Sequence, residues 1–162
     1  IMAYTLLYDI CKEKMENHAG MPVNDPVMQK EINDYQYFEP AYKAYKENFK
    51  AFYDTGVTVI AGTDMVMYGS PLLPLNRELQ YMVEYGITPV QAIQTATSNP
   101  AKVLGVENER GLVAEGLDAD LLVVGGDLSK DITCLNDVKF VTLGGKLANG
   151  VYAVGKGKFR GK

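Results

Sequence analysis

The sequence predicts an α/β fold in which helices surround a buried strand and a small antiparallel β unit follows. Three observations support this prediction. Residues 57–61 form a short, β-branched apolar run between two glycines, as in a strand that is covered on both faces of a parallel sheet. Residues 75–105 combine helical spacing with helix start and stop signals. Residues 111–149 contain short apolar runs with turn residues between them.

The first third of the chain predicts helices. Residues 1–11 are apolar and could be a buried strand that enters a helix, since periodicity alone does not decide. Residues 17–34 contain glycine and proline and predict a loop or a broken helical stretch. Residues 39–54 predict a helix that ends at Gly56. One face of this helix is aromatic, and we expect it to pack in the core rather than at an interface; it carries Tyr42, Tyr45, Phe49 and Phe52.

Start and stop signals divide the next region into three helices. The first runs from Leu75 to the glycine at position 86 and has an apolar face. The second starts at Thr88, which would cap it while Pro89 occupies the first turn and Gln91 completes a capping box. The third is predicted to start at Asn99–Pro100 and to end at a glycine at position 105.

The last third of the chain predicts a small antiparallel unit. Short strands are expected at residues 111–113, 119–124, 138–143 and 146–149. The pair Gly144–Gly145 lies between two of them and predicts a two-residue hairpin turn. Asp118 and Asp120 flank the start of a strand, where turn chemistry explains them.

Composition and charge exclude several classes of protein. The chain has 162 residues, 16 Lys+Arg against 20 Asp+Glu, and a net charge of −4. A general nucleic-acid binder is therefore not expected, because no global positive field attracts phosphate. The sequence contains no run of 18 or more apolar residues, so it predicts no membrane span. No signal peptide is visible either, and we therefore expect a cytoplasmic protein without membrane partners. Because the chain starts at Ile1, we expect it to begin inside a longer one.

Asp64 is the main candidate for chemistry. It follows Ala61, Gly62 and Thr63, just after the C-terminal end of the predicted buried strand. Functional groups collect at that end of the strands in parallel α/β folds. A carboxylate at this position can ligate a metal or accept a proton from a metal-bound water. The alternative is that Asp64 only caps a helix or a turn.

Two long segments carry a family resemblance. Residues 61–105, with their G-T-D and T-P-V-Q-A-I-Q-T-A-T-S-N-P-A-K-V-L-G motifs, and residues 111–124 resemble the C-terminal part of the metal-dependent amidohydrolase superfamily. The most similar branch is imidazolonepropionase-like and Xaa-Pro-dipeptidase-like, and the resemblance extends over residues 1–150. It implies the last two βα units of a (β/α)₈ TIM barrel, followed by a small antiparallel β unit from a composite β-sandwich. The resemblance also implies that the chain has three parts. Residues 1–105 would belong to the barrel, residues 106–150 would belong to the β-sandwich, and residues 151–162 would form a basic flexible tail.

The resemblance also implies an activity and a site. Members of the family hold one or two divalent metals, usually zinc, at the C-terminal ends of the barrel strands. Asp64 aligns with the aspartate that follows the last barrel strand, contacts the metal and acts as a base toward the attacking water. Thr63 and Met65 would then line the substrate side. The implied reaction is hydrolysis of a C–N bond in a small-molecule amide or dipeptide-like substrate by a metal-activated water.

The chain departs from the family in the ligands it lacks. The H-x-H pair, the bridging lysine or glutamate and two later histidines are absent, because the chain does not reach the strands that carry them. The single histidine, His18, is expected at the surface and not on a metal. Cys11 and Cys134 are expected to be buried apolar groups rather than catalytic thiols. We therefore expect this chain alone to bind no metal and to lack activity.

Six missing barrel strands also have a physical consequence. The apolar strand 57–61 would lack a sheet partner on one side, and an unpaired edge of this kind invites association. We expect self-association or a complex with the missing N-terminal part. Two functions stay open: the C-terminal portion of a metal-dependent amidohydrolase, or a non-catalytic interaction module derived from one. A third possibility, a metal-free acid–base enzyme that pairs Asp64 with Asp54 or Glu78, has no support in the spacing of these residues.

Overall fold

A computed structural model of the chain describes residues 3–63 and 75–148. In chain order the described part contains α1 (Ala3–Asn17), α2 (Pro26–Asp54), α3 (Leu75–Glu84), α4 (Pro89–Ala96), α5 (Ser98–Leu104), β1 (Leu121–Val124), a 3₁₀ helix (Ile132–Asn136), β2 (Val138–Leu143) and β3 (Lys146–Leu147). Within these ranges, no helix is both long enough and apolar enough to cross a membrane.

Helices α1 and α2 form an antiparallel hairpin at the start of the chain. The first helix covers residues 3–17, so the possible strand at residues 1–11 is wrong for its described part. The second begins at Pro26, so of the two alternatives for residues 17–34 a continuous loop is wrong, and the helical stretch is broken only between Asn17 and Pro26. The reason is local: the Asp25 carboxylate accepts a 2.8 Å hydrogen bond from the amide of Val27, and proline suits the first helical turn.

Aromatic side chains hold the hairpin together. The ring of Tyr8 stacks on Tyr42 with 4.1 Å between centroids, and its hydroxyl group forms a 2.7 Å hydrogen bond with that of Tyr35. Further along α2, Phe49 is buried, whereas Phe52 is 50% exposed. The aromatic face predicted for this helix is therefore core at Phe49 and only partly covered elsewhere.

One hydrophobic core joins α2, α3 and α4 to the 3₁₀ helix. Leu79 and Met82 on α3 lie at its centre, as the predicted apolar face of that helix requires. Because this core includes Ile132 and Leu135, the segment after residue 105 packs directly against the helices. The buried members of the core are Phe49, Leu79, Tyr81, Met82, Tyr85, Ile87, Ala92, Ile132 and Leu135.

The segment 57–63 has no regular secondary structure and forms no sheet strand with any described residue. The strand predicted at residues 57–61 is therefore corrected to an unpaired segment. The side chains of Val57 and Ile60 are 43% and 42% exposed, as expected for an apolar segment without the sheet neighbours that its composition suits.

The C-terminal sheet has the predicted hairpin. Strands β1 and β2 are antiparallel, with Leu121 opposite Thr142, and β2 pairs with β3 through Leu143 and Lys146. Gly144 and Gly145 connect β2 to β3 with φ angles of +56° and +75°. Both residues thus adopt the left-handed conformation that a tight hairpin turn requires, and the prediction for this turn is confirmed.

The strand predicted at residues 111–113 is wrong, since the structure shows bends there. Gly111 has a φ of +100°, which a strand does not use. A side chain at this position would also lie 2.6 Å from the Cβ atom of Ala101. Close packing onto α5 therefore explains both the glycine and the loss of strand geometry.

Candidate functional site

Three helices hold the segment 57–63, and each contributes one hydrogen bond. The bonds replace part of the ladder that a sheet strand would form, so the segment keeps a defined position without strand partners. They run from Asn99 Nδ2 to the Val59 carbonyl at 2.9 Å, from the Ala61 amide to the Thr95 carbonyl at 2.9 Å, and from the Gly62 amide to Glu78 Oε1 at 3.1 Å.

The first of these bonds bears on the helix start that was predicted at Asn99–Pro100. The helix α5 begins at Ser98, one residue before Asn99, and its N-cap Thr97 forms no side-chain capping bond. The Asn99 amide instead reaches back 40 residues to Val59. Asn99 therefore links α5 to segment 57–63 and does not cap the helix.

The second bond depends on a well-fixed turn of α4. Thr95 is fully buried, and its hydroxyl group donates a 2.6 Å hydrogen bond to the carbonyl of Ala92. At the other end of α4, Thr88 and Gln91 form the predicted capping box, which is confirmed. The helix is thus defined from its N-cap to the Thr95 carbonyl that receives the Ala61 amide.

The third bond involves a buried carboxyl group. Glu78 lies in the first turn of α3 and is only 4% exposed. One oxygen, Oε1, accepts the hydrogen bond from Gly62, whereas Oε2 is buried without a hydrogen-bond partner in the described part of the chain. Burial raises the pKa of Glu78, and the hydrogen bond from the Gly62 amide lowers it in part.

Helical spacing explains why Glu78 faces inward. Residues 78, 79 and 82 lie on one side of α3, at the i, i+1 and i+4 positions. Leu79 and Met82 are buried in the core, and Glu78 beside them contacts segment 57–63 through the Gly62 amide. The sequence signal for this position is an acidic residue that shares a helix face with apolar residues. The sequence hypothesis considered Glu78 only as a catalytic partner of Asp64 and missed its contact with Gly62.

The residues predicted to carry the chemistry lie at the end of this segment. Thr63 is half-buried and directly follows Gly62. Asp64 and Met65 lie outside the described residues, so their predicted roles stay predictions. What the described residues provide is the fixed backbone that leads toward them.

The described residues do not by themselves fit the divalent metal that the resemblance implies. Across residues 3–63 and 75–148, no three His, Cys, Asp or Glu side chains are grouped so that they could hold a metal ion. His18 lies in the turn between α1 and α2, and its side chain is 37% exposed. Its Nδ1 atom lies 2.9 and 2.8 Å from the two carboxylate oxygens of Glu31. The expected surface position of His18 is thus partly correct, and its ring pairs with a carboxylate.

The two cysteines differ in their surroundings. Cys11 is buried and Cys134 is half-buried. Burial raises the pKa of the Cys11 thiol, and the nearby Asp34 carboxylate adds to this effect. Since the thiolate is the nucleophilic form of cysteine, these surroundings disfavour a catalytic role for Cys11.

A family model and curated relatives match much of the chain. The model described as "Amidohydrolase family" matches residues 44–156. Ochratoxinase from Aspergillus niger is 37% identical over 113 residues, which cover 67% of this chain and 22% of ochratoxinase. Adenine deaminase 3 from Rhizobium meliloti is 36% identical over 73 residues, which cover 45% of this chain and 11% of the deaminase. The chain therefore spans about a fifth, or less, of the curated relatives it matches.

A solved structure resembles the chain over almost its whole length. It is the crystal structure of a Xaa-Pro dipeptidase with methionine bound in the active site, 27% identical to this chain with a TM-score of 0.66. The similarity covers 93% of this chain and 34% of the dipeptidase. The helices and the small antiparallel sheet thus agree with part of an amidohydrolase fold.

Proposed function

The chain belongs to the amidohydrolase family, and from this premise we propose that it is the C-terminal portion of a metal-dependent enzyme that hydrolyses a C–N bond. Asp64 would act as a metal contact and as the general base. The observation that carries the proposal is the attachment of segment 57–63 to three helices, because it gives a fixed backbone to the residues just before Asp64. A catalytic group needs such fixation, since small misplacements are costly in rate.

The chemistry proposed for Asp64 is a two-step proton transfer. The oxygen of a water molecule forms a bond with the substrate carbonyl carbon while Asp64 accepts a proton from that water. Asp64 then delivers the proton to the leaving nitrogen as the C–N bond breaks. The products are a carboxylic acid and an amine, so the same carboxylate acts first as base and then as acid. Thr63 and Met65 would contact the substrate.

A divalent metal, with zinc as our choice, would need ligands other than the described residues. His18 and Glu31 are engaged with one another, and the described residues form no group of three ligands. We therefore propose that the preceding part of the enzyme supplies these ligands. It follows that the chain by itself lacks hydrolytic activity, because one carboxylate does not fix a zinc ion against water.

The test joins the chain to the part of the Xaa-Pro dipeptidase that precedes the region of similarity. The chimera would be assayed for hydrolysis of Xaa-Pro dipeptides with and without a metal chelator. We expect hydrolysis that the chelator abolishes, and an Asp64→Asn variant with kcat lower by about 100-fold or more. Asp54→Asn is the matched control, because Asp54 is exposed and pairs with Lys50 on the surface. Full activity of Asp64→Asn would remove Asp64 from the role of base.

A second candidate function is an interaction module that associates with itself or with a missing N-terminal part. It is favoured by the exposed apolar side chains of the segment and the sheet: Val57, Ile60, Leu122, Phe140, Leu143 and Leu147. Apolar surface of this kind is common at association sites. Light scattering of the isolated chain over a range of concentrations tests this function. A mass that stays at one chain at all concentrations would contradict self-association.

A further inference from the structure

We propose that Glu78 is a positioning residue, whose buried carboxyl group holds the Gly62 amide and thereby sets the backbone that leads into the catalytic position. The inference rests on the proposed function and adds a residue to it. Of the three bonds that hold segment 57–63, the bond from Gly62 to Glu78 lies nearest in sequence to Asp64. An error in the position of Gly62 would therefore be carried directly into the residues that follow it.

The burial of Glu78 requires an explanation. Glutamate is rarely buried to this extent unless it is paired, and Glu78 is 4% exposed. Within the described ranges, none of the ion pairs involves Glu78. A leucine of similar size would avoid the desolvation cost of a buried carboxyl group. Packing alone therefore does not account for a glutamate at this position.

The hydrogen bond to Gly62 accounts for it. The amide of Gly62 belongs to a segment without a ladder partner among the described residues, and although Gly62 itself is exposed, this amide donates to the side chain of Glu78 at 3.1 Å. Oε1 of Glu78 supplies the acceptor from a helix anchored in the core by Leu79 and Met82. Burial raises the pKa of Glu78, and a carboxyl group keeps an oxygen that can accept this bond in its neutral form as well as in its ionised form. The glutamate thus fixes the backbone and need not be ionised.

The inference makes a specific statement about variants. Glu78→Gln keeps an acceptor oxygen at the same distance from the helix, so it retains the bond to Gly62. Glu78→Leu keeps the approximate volume and removes the acceptor. Glu78→Asp keeps the carboxyl group but withdraws it by one methylene, and it serves if the leucine variant fails to fold. Leu79→Ala is the matched control, because it weakens the same helix in the core and leaves Glu78 in place.

The first experiment measures amide hydrogen exchange of Gly62 in the 162-residue chain. We expect Glu78→Gln to resemble the wild type, and Glu78→Leu and Glu78→Asp to speed Gly62 exchange by about tenfold relative to Leu79→Ala. Comparison with Leu79→Ala separates loss of the bond from general loss of stability. Equal exchange of Gly62 in the wild type, Glu78→Leu and Glu78→Asp would overturn the inference whatever the activity.

The second experiment measures hydrolysis by the chimera with the Xaa-Pro dipeptidase. We expect Glu78→Leu and Glu78→Asp to lower kcat by about 10- to 100-fold, with KM little changed and with activity retained in Glu78→Gln. Leu79→Ala should lower the stability of the chimera but not its kcat at a temperature where it is folded. A folded, metal-loaded chimera without hydrolysis refutes the proposed function. An active chimera in which both Glu78→Leu and Glu78→Asp match the wild type refutes the positioning role.

Discussion

The side-chain amide of Asn99 donates a 2.9 Å hydrogen bond to the main-chain carbonyl of Val59. The two residues lie 40 positions apart, one on α5 and the other in segment 57–63. The asparagine thus satisfies a carbonyl group that a neighbouring strand would satisfy in a complete sheet. Two of the three bonds that attach the segment to the helices come from side chains, those of Asn99 and Glu78, and each can be tested by substitution.

Replacement of Asn99 with alanine should destabilise the chain. The variant removes one donor and leaves the partly buried Val59 carbonyl without it, so we expect the free energy of unfolding to fall by about 1–2 kcal/mol. Urea denaturation followed by circular dichroism measures this change. Asn108→Ala is the control, since Asn108 is exposed, and it should change stability by less than about 0.5 kcal/mol. Equal effects of the two variants would mean that the bond to Val59 contributes nothing.

The buried carboxyl group of Glu78 should make stability depend on pH. Burial raises the pKa of Glu78 in the folded chain, so the folded state keeps this proton at pH values where the unfolded state has lost it. Stability from this group is therefore present below the unfolded pKa and is lost as the pH rises through the folded pKa. We expect the wild type to lose stability relative to Glu78→Gln as the pH rises from about 4 through the raised pKa of Glu78.

Urea denaturation of both proteins across this range provides the measurement. Glutamine does not titrate, so the difference between the two curves isolates Glu78 from the other acidic groups. A difference that is constant with pH, or that favours the wild type as the pH rises, would contradict the sign derived from burial.

The capping box of α4 should contribute measurably to stability. Thr88 Oγ1 accepts a 3.2 Å hydrogen bond from the Gln91 amide, and the Thr88 amide donates to Gln91 Oε1 at 2.8 Å. Loss of the hydroxyl group in Thr88→Ala should lower the free energy of unfolding by about 1 kcal/mol. Thr88→Ser keeps the acceptor and should lie close to the wild type. Thermal unfolding of the three proteins tests the order, and an alanine variant as stable as the serine variant would be inconsistent with it.

A contact between Tyr81 and Asp9 joins α1 to α3. The Tyr81 hydroxyl group donates to Asp9 Oδ2, and the Arg77 guanidinium lies 4.4 Å from the centroid of the Tyr81 ring. The ring is only 2% exposed, and burial raises the pKa of Tyr81 above its ordinary range. Tyr81→Phe keeps the ring and removes the donor, so the hydrogen bond can be separated from packing.

A double-mutant cycle of Tyr81→Phe and Asp9→Asn should give a coupling energy of about 0.5–3 kcal/mol. Equilibrium unfolding of the wild type, both single variants and the double variant supplies the four values. Tyr37→Phe is the control for loss of a hydroxyl group, because Tyr37 is 72% exposed. Additive effects of the two substitutions would show that the contact does not couple the helices.

Several local features could be predicted from neighbouring residues alone. Thr88, Pro89 and Gln91 specify the start of α4, and the glycines at positions 56, 86 and 105 end helices with positive φ angles. Gly144–Gly145 specifies the hairpin between β2 and β3. These features are predictable because a cap or a tight turn is satisfied by residues within a few positions of it.

The end of α1 and the start of α2 show where local signals were misread. The glycine and prolines in residues 17–34 suggested a loop, although Asp25 followed by Pro26 is itself a helix start. The apolar run at residues 57–61 has the composition of a buried strand, yet it remains unpaired in the described structure. The amino-acid composition of a segment indicates that it suits a buried sheet position. The segment becomes a strand only when partner strands are present to pair with it.

By itself the sequence determined the positions of the caps, the hairpin turn, the apolar face of α3 and the family resemblance around Asp64. Only the tertiary structure decided which side chains hold segment 57–63, namely Asn99 from 40 residues away and Glu78 from 16. The physical reason is that a cap is completed within one turn, whereas these bonds form only after the helices have packed. In the sequence, Glu78 is only an acidic residue on an apolar helix face. Its contact with the Gly62 amide exists only in the packed structure.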